Sequence, residues 1–365
     1  MLFVKNADLK VGMRLAKPIY NKKGVLLYDR NSKLTEQGID SVKNFGLIGL
    51  YILEPAEPLP PMSEDDMEFE RYQTMAVFQI VDELEYLVSS GRTSKMQTIV
   101  ADIIKRYGRL TKKINFVQNL RSNDDYVFKH SLNTAMLCAM MSHILNVRLE
   151  EQNEMVIAGV VHDIGKLRAP KELKEKGTRL NNIEQAQMDR FEREGAKLVE
   201  DAFSSQPNIK RIVVQSNKIL TDFKRGILPS FGIEKVVMGA RVLMVAEIFD
   251  TMTAMNDYRE PSSEISALKY LKANPQIFDP KVVTALIRSV NFLTNGCTIE
   301  LTNGEKGLVI AANDDDVLLP MVLQFSNNSI IDLARTSLGI EIKDVMKTMD
   351  NRCVIDKELL KSVNV

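Results

Sequence analysis

The sequence predicts a mainly α-helical protein, in which a long helical domain is flanked by a small N-terminal α/β module and a small C-terminal antiparallel β module. Three observations predict it. Apolar residues recur at intervals of three and four from about Met67 to Val290. Short apolar runs punctuated by glycine fill the chain before Pro55, and alternation with turn residues returns after Asn291.

The N-terminal module spans residues 1–56. Met13 to Tyr20 and Val25 to Tyr28 flank the turn Asn21-Lys22-Lys23-Gly24, which suggests a hairpin, followed by a short helix around Thr35 to Asn44 and a strand from Gly49 to Leu53. The proline cluster Pro55, Pro58, Pro60 and Pro61 then reads as extended chain, so residues 57–66 are expected to be a linker. Helices are expected over 67–290, in segments such as Met75 to Val88 and Met96 to Tyr107. Residues 291–365 return to short strands: Cys297 to Leu301, the turn Asn303-Gly304, Gly307 to Ala311, Val317 to Phe325 and the turn Asn327-Asn328. The acidic run Asp314 to Asp316 lacks the glycine and distal glutamate of a calcium loop and reads as a solvated turn.

Composition narrows the function classes. Lys plus Arg and Asp plus Glu both number 48, so no net basic field exists to hold DNA, RNA or an anionic membrane without specificity. Cys138, Cys297 and Cys353 are odd in number and form no CxxC pair, which argues against a disulfide framework or zinc knuckle and for reduced thiols. The opening MLFVKNADLKVG turns polar before a signal-peptide core forms, and no apolar run reaches membrane-spanning length. A cytoplasmic protein is expected. The 18 methionines, Met136, Met140 and Met141 among them, read as adaptable core filler.

The chain has only three histidines, so their placement is informative. His130 opens a helix, His143 lies thirteen residues further along it, and His162 precedes Asp163 at the end of the apolar run Met155 to Val161. A His-Asp pair by itself reads as a capping aspartate beside an incidental histidine. Context favours more. Ile164-Gly165-Lys166 follows Asp163, and Glu247 sits on a later predicted helix in Val245-Ala246-Glu247-Ile248-Phe249-Asp250. Imidazoles and carboxylates brought together from separate helices are what a divalent cation requires. His143 is too far round the helix to share that ion, while Lys166 is either a solvated lysine or a point charge for a phosphate.

Several motifs occur in order: His130-Ser131, Val161-His162-Asp163-Ile164-Gly165-Lys166, Val245 to Thr253, Asp257-Tyr258-Arg259 and Phe278-Asp279-Pro280. Over roughly Asp124 to Ile287 the chain resembles the HD-GYP family of metal-dependent phosphohydrolases. The resemblance implies His130, His162, Asp163 and Glu247 as ligands of a divalent ion such as Mn or Fe, with Asp250 as a reserve carboxylate. It implies Lys166 as the phosphate contact, with Lys166 and Asp163 in catalytic roles, and Arg259 as a nucleotide contact. Leu9 to Thr35 weakly resembles an accessory domain found ahead of such domains.

The departures from the family pattern are equally specific. Phe191 stands where the family has a histidine, Val214-Gln215-Ser216-Asn217 where it has paired histidines, and Thr221 to Gly226 offers no Gly-Tyr-Pro. Asn256 replaces one of two basic nucleotide contacts. A second metal is therefore not expected, since phenylalanine offers no lone pair and amides bind such ions weakly. The resemblance implies a degenerate member in cyclic di-GMP signalling, a binding or scaffold protein with weak or absent phosphodiesterase activity that acts as a homodimer or with a signalling partner. The alternative is an active mononuclear phosphohydrolase on a nucleotide phosphoester. A third reading confines His130 and Asp163 to hydrogen bonds within a helical core.

Overall fold

The computed structural model describes residues 2–346 apart from 21–24, 45–46, 54–62, 175, 177, 179, 256–259 and 314. In the N-terminal module the strands are β1 (Leu2–Lys5), β2 (Arg14–Leu15), β3 (Ile19–Tyr20), β4 (Leu26–Tyr28) and β5 (Gly49–Leu53), with helix α1 (Glu36–Asn44) between the last two. One antiparallel sheet has the order β1-β5-β2, and β3 pairs with β4 as the expected hairpin. The expected turn at 21–24 lies outside the described residues. Leu15, Leu34, Val42, Leu50 and Ile52 form the module's core, against which Leu120 of the helical region packs.

The helices follow in order: α2 (Glu64–Ser90), α3 (Met96–Tyr107), α4 (Tyr126–Ile144), α5 (Leu149–Val161), α6 (Ile164–Leu167), α7 (Lys171–Lys174), α8 (Asn182–Ala202), α9 (Pro207–Lys224), α10 (Met238–Thr253), α11 (Glu264–Ala273) and α12 (Pro280–Ser289). A capping box between Ser63 and Asp66 satisfies the first free N–H groups of α2. It starts the helix at Glu64, slightly ahead of the expected Met67. Helix α4 is apolar almost all round and runs through the middle of the domain, packed against α2, α5, α10 and α12. His130 lies one turn inside α4 rather than at its start.

The approach of α4 to α5 depends on one glycine. A Cβ added to Gly159 would stand 2.8 Å from Ala135 Cα and 3.0 Å from its nitrogen. His162 follows Gly159 by one turn, so this crossing brings it towards His130. Gly159→Ala is expected to cost about 1–3 kcal/mol by forcing the two helices apart, read from urea midpoints. A variant as stable as the parent would show that the crossing has slack.

After α12 come β6 (Thr298–Leu301), β7 (Lys306–Ala311), β8 (Met321–Gln324), β9 (Ile330–Asp332) and β10 (Ile342–Val345), an antiparallel sheet of order β10-β6-β7-β8-β9. Strand β8 begins after Pro320 rather than at Val317, because Val317 to Leu319 form a turn fastened by Asp316. Ser263 and Ser266 donate to Asp344, tying α11 to β10. The fold is thus mainly α, with a small N-terminal sheet and a five-stranded C-terminal sheet, as the sequence predicts. Among the described residues no helix is long and apolar enough to cross a membrane.

Candidate metal centre

His130 from α4, His162 at the end of α5 and Asp163 beside it converge as a buried cluster whose ligand atoms lie within 4.8 Å of one another. The two Nε2 atoms face each other at 3.1 Å, and Asp163 Oδ2 stands 3.7 Å from each. The outer nitrogens fix the tautomers. His162 Nδ1 is 2.9 Å from the Gly159 carbonyl oxygen and His130 Nδ1 is 2.6 Å from Asp250 Oδ2. A carbonyl and a carboxylate can only accept, so both Nδ1 atoms carry the hydrogens. In the neutral rings the two Nε2 atoms then aim lone pairs at each other, an unfavourable contact that a metal cation, or a proton on one ring, between them relieves. Two nitrogens bound to one ion at about 2.1 Å stand about 3.0–3.4 Å apart, so the donor set fits a divalent metal.

Asp250 is engaged elsewhere. Its carboxylate, with 0% side-chain exposure, accepts from Arg121 Nη2 at 2.7 Å through both oxygens, from Asn133 Nδ2 at 2.8 Å and from Gln118 Nε2 at 3.0 Å. Gln73 in turn donates to Asn133 at 2.9 Å. The reserve ligand of the sequence reading is thus an outer carboxylate that orients His130, an arrangement common to metal-bound histidines.

Glu247 does not join the cluster of three, although it is only 7% exposed. Its Oε2 has no hydrogen-bond partner, and its charge is felt by both His162 and Lys166. Lys166 Nζ donates to Asp163 Oδ2 at 2.6 Å. His143 lies outside the cluster, near the C-terminal end of α4. Phe191 packs against Ala169, Leu173 and Met188. Ser216 and Gln215 serve backbone groups at Val213 and Val237, while Asn217 reaches the His162 carbonyl at 3.5 Å. Arg259 and Asn256 lie outside the described residues.

Two groups that sequence reasoning did not single out matter here. Arg121 is one. Glu192, next to Phe191 on α8, is the other: burial and then the neighbouring acids Asp163 and Glu247 raise its pKa, against the pull of Lys166. Its sequence signal is its place beside Phe191, where the family resemblance implies a histidine. A surface cavity of about 630 Å³, lined by Tyr20, Arg71, Tyr72, Asp102 and Arg106 among others, contains none of the cluster residues.

Electrostatics hold the two aspartates, Asp163 and Asp250, ionised. Burial opposes the charged form of Asp163, but the Lys166 ammonium and then the two imidazoles outweigh it and keep the carboxyl well below the usual range. Asp250 is held low in the same way, with Arg121 and His130 overcoming its burial. Burial also lowers His162, while Asp163, then Glu192 and Glu247, raise Lys166 against its own desolvation. At Asp163, Asp250 and His162 the folded protein therefore binds fewer protons in acid than the unfolded chain, and these groups give a stability that acid removes. Stability present at neutral pH is expected to fall as pH drops through the unfolded histidine range near about 6.5, and further through the carboxylate range near about 4. Urea midpoints compared across that window check this; a flat profile would contradict it.

Fold and cluster together define a helical protein with a buried His, His and Asp cluster compatible with a divalent cation. A family model described as HD domain matches residues 99–282, just over half of the sequence, and the chain belongs to that family. Within that family the chain is of the HD-GYP type, in keeping with its motif order and with its relatives. A cyclic di-GMP phosphodiesterase of Pseudomonas aeruginosa is 23% identical over 56% of this chain and 49% of its own length. The cyclic di-GMP phosphodiesterase response regulator RpfG of Xanthomonas campestris pv. campestris is 27% identical over 42% of this chain and 43% of its own. The 3'3'-cGAMP-specific phosphodiesterase 1 of Vibrio cholerae is 22% identical over 46% and 39%. The chain spans about half, or less, of the length of these curated relatives.

Proposed function

We propose that this protein is a one-metal HD-domain receptor for a cyclic dinucleotide such as cyclic di-GMP, acting as a binding or scaffold protein with weak or absent phosphodiesterase activity. The observation that carries the reading is the pair of imidazole lone pairs opposed at 3.1 Å beside Asp163. A divalent ion held by His130, His162 and Asp163 would polarise a phosphoryl oxygen and acidify a bound water. Lys166 supplies a positive point charge at the same place and stays ionised through its pairing with Asp163. Weak turnover is supported by the residues at the family's other ligand positions: Phe191 is committed to apolar packing, and Gln215 and Ser216 to backbone hydrogen bonds.

Metal content and cyclic di-GMP affinity measured on one preparation test the reading, together with a hydrolysis assay in added Mn²⁺ or Fe²⁺. About one ion per chain, measurable nucleotide affinity and little hydrolysis are expected. Sustained turnover comparable with that of an intact phosphodiesterase would overturn the receptor reading. It would favour a mononuclear phosphohydrolase instead, a reading supported by the unpartnered, buried Oε2 of Glu247.

A further inference from the structure

A single short segment joins the N-terminal module to the metal-facing imidazole. The backbone of residues 118–122 is held from the N-terminal side. Ile48 N–H donates to the Arg121 carbonyl at 2.9 Å, Leu47 and Ser122 form an antiparallel bridge, and Lys17 Nζ donates to the Gln118 carbonyl at 2.6 Å. Leu120 packs into the module's core. The side chains of Gln118 and Arg121 face the other way. Arg121 Nη2 grips both oxygens of Asp250 at 2.7 Å, Gln118 adds a third bond, and Asp250 Oδ2 receives the His130 Nδ1 hydrogen at 2.6 Å. The Arg121 guanidinium also stands 4.9 Å over the Tyr126 ring, which stacks on His130.

A helical core gains little stability from such a construction. Burying an ion pair at 0% exposure on both sides carries a desolvation cost that apolar side chains would avoid, and Arg121 Nη1 is left without a partner. What the pair does achieve is geometric. A carboxylate on the outer nitrogen of a ligand histidine sets its tautomer and ring orientation, and a carboxylate held by three donors cannot rotate away.

We infer that Arg121 is a positioning residue: anchored by the N-terminal module, it locks Asp250 against His130 Nδ1 and so keeps His130 Nε2 aimed as a lone pair at His162. Docking of the N-terminal module and affinity of the cluster for a cation then form one linked equilibrium, in which a ligand or partner that shifts the module shifts metal binding, and the reverse. The inference rests on the one-ion reading of the cluster.

The test uses the full chain with Mn²⁺ alone as probe and three variants, Arg121→Met, Arg121→Lys and Lys17→Met. Mn²⁺ affinity is read by electron paramagnetic resonance titration. The His130 tautomer is read from imidazole ¹⁵N shifts in metal-free protein, with His143 as internal control. Arg121→Met is expected to weaken Mn²⁺ binding by about 10- to 100-fold and to turn a single Nδ1–H tautomer at His130 into a mixture. Arg121→Lys, which restores a charge beside Asp250, recovers part of both, and Lys17→Met moves both in the same direction by a smaller factor. Should Arg121→Met fail to fold, the other two variants carry the same comparison. Wild-type affinity and an unchanged His130 tautomer in the Arg121 variants would overturn the inference, and the same result in Lys17→Met alone would overturn the link to the N-terminal module. If the wild-type protein binds no Mn²⁺, the one-ion reading falls, and the tautomer measurement alone decides whether Arg121 positions His130.

Discussion

Asp250→Ala is expected to destabilise the protein by about 3–5 kcal/mol, the scale seen when one partner of a buried ion pair is removed. The cause is what remains behind. Arg121 would keep a fully buried guanidinium with no counter-ion, and the donors on Asn133 and Gln118 would lose the oxygen they share. Replacing one buried carboxylate thus strands several groups at once, and each unsatisfied donor carries its own desolvation penalty. Asp250→Asn keeps the shape and one acceptor oxygen, so it should fall between the wild type and alanine. Urea unfolding followed by circular dichroism measures both. A loss for Asp250→Ala smaller than about 1 kcal/mol would mean that water reaches Arg121 and that the network is not sealed.

The second large effect is on metal binding. On the proposed one-ion reading, His162→Ala is expected to lower Mn²⁺ affinity by more than the roughly 10- to 100-fold typical of losing an outer partner, because it deletes a proposed ligand atom itself. An ion that binds only the folded state stabilises it by about 2.7 kcal/mol when present at about 100 times its dissociation constant. The wild-type thermal midpoint should therefore rise with added Mn²⁺ while that of His162→Ala stays fixed. Metal analysis of the purified proteins gives the matching stoichiometry. A metal-induced shift surviving in His162→Ala would place the ion elsewhere, and the family match alone would then say nothing about this cluster.

The relation between His130 and its neighbours shows where local sequence information ends. The apolar period of α5 and the dipeptide His162-Asp163 at its end were readable, because a helix presents its sequence at fixed intervals. Lys166 falls one turn on for the same reason, and its ion pair with Asp163 follows from that spacing. Strand β1 carried no turn signal ahead of it, and its pairing with β5 joins the two ends of the N-terminal module. The start of β8 moved because Asp316 fastens Val317 to Leu319 into a turn ahead of Pro320. Glu247 and Asp250, on one face of α10, could not be told apart by spacing. Partners from other elements separate them: Arg121, Asn133 and Gln118 occupy Asp250, while Glu247 keeps a buried oxygen unpartnered.

By itself, then, the sequence determined the mainly helical class with its two flanking modules, the His-Asp-Lys run and the presence of only three histidines. These are properties of periodicity and residue type, which neighbours along the chain settle. Only the tertiary structure decided that His130 and His162 meet nitrogen to nitrogen across the Gly159 crossing. It also decided that Asp250 serves His130 from behind and that Arg121 ties this pair to the N-terminal module. The physical reason is distance along the chain: Arg121 and Asp250 are 129 residues apart, and a buried charge chooses its partner by what the packed helices leave within reach rather than by what precedes it in sequence.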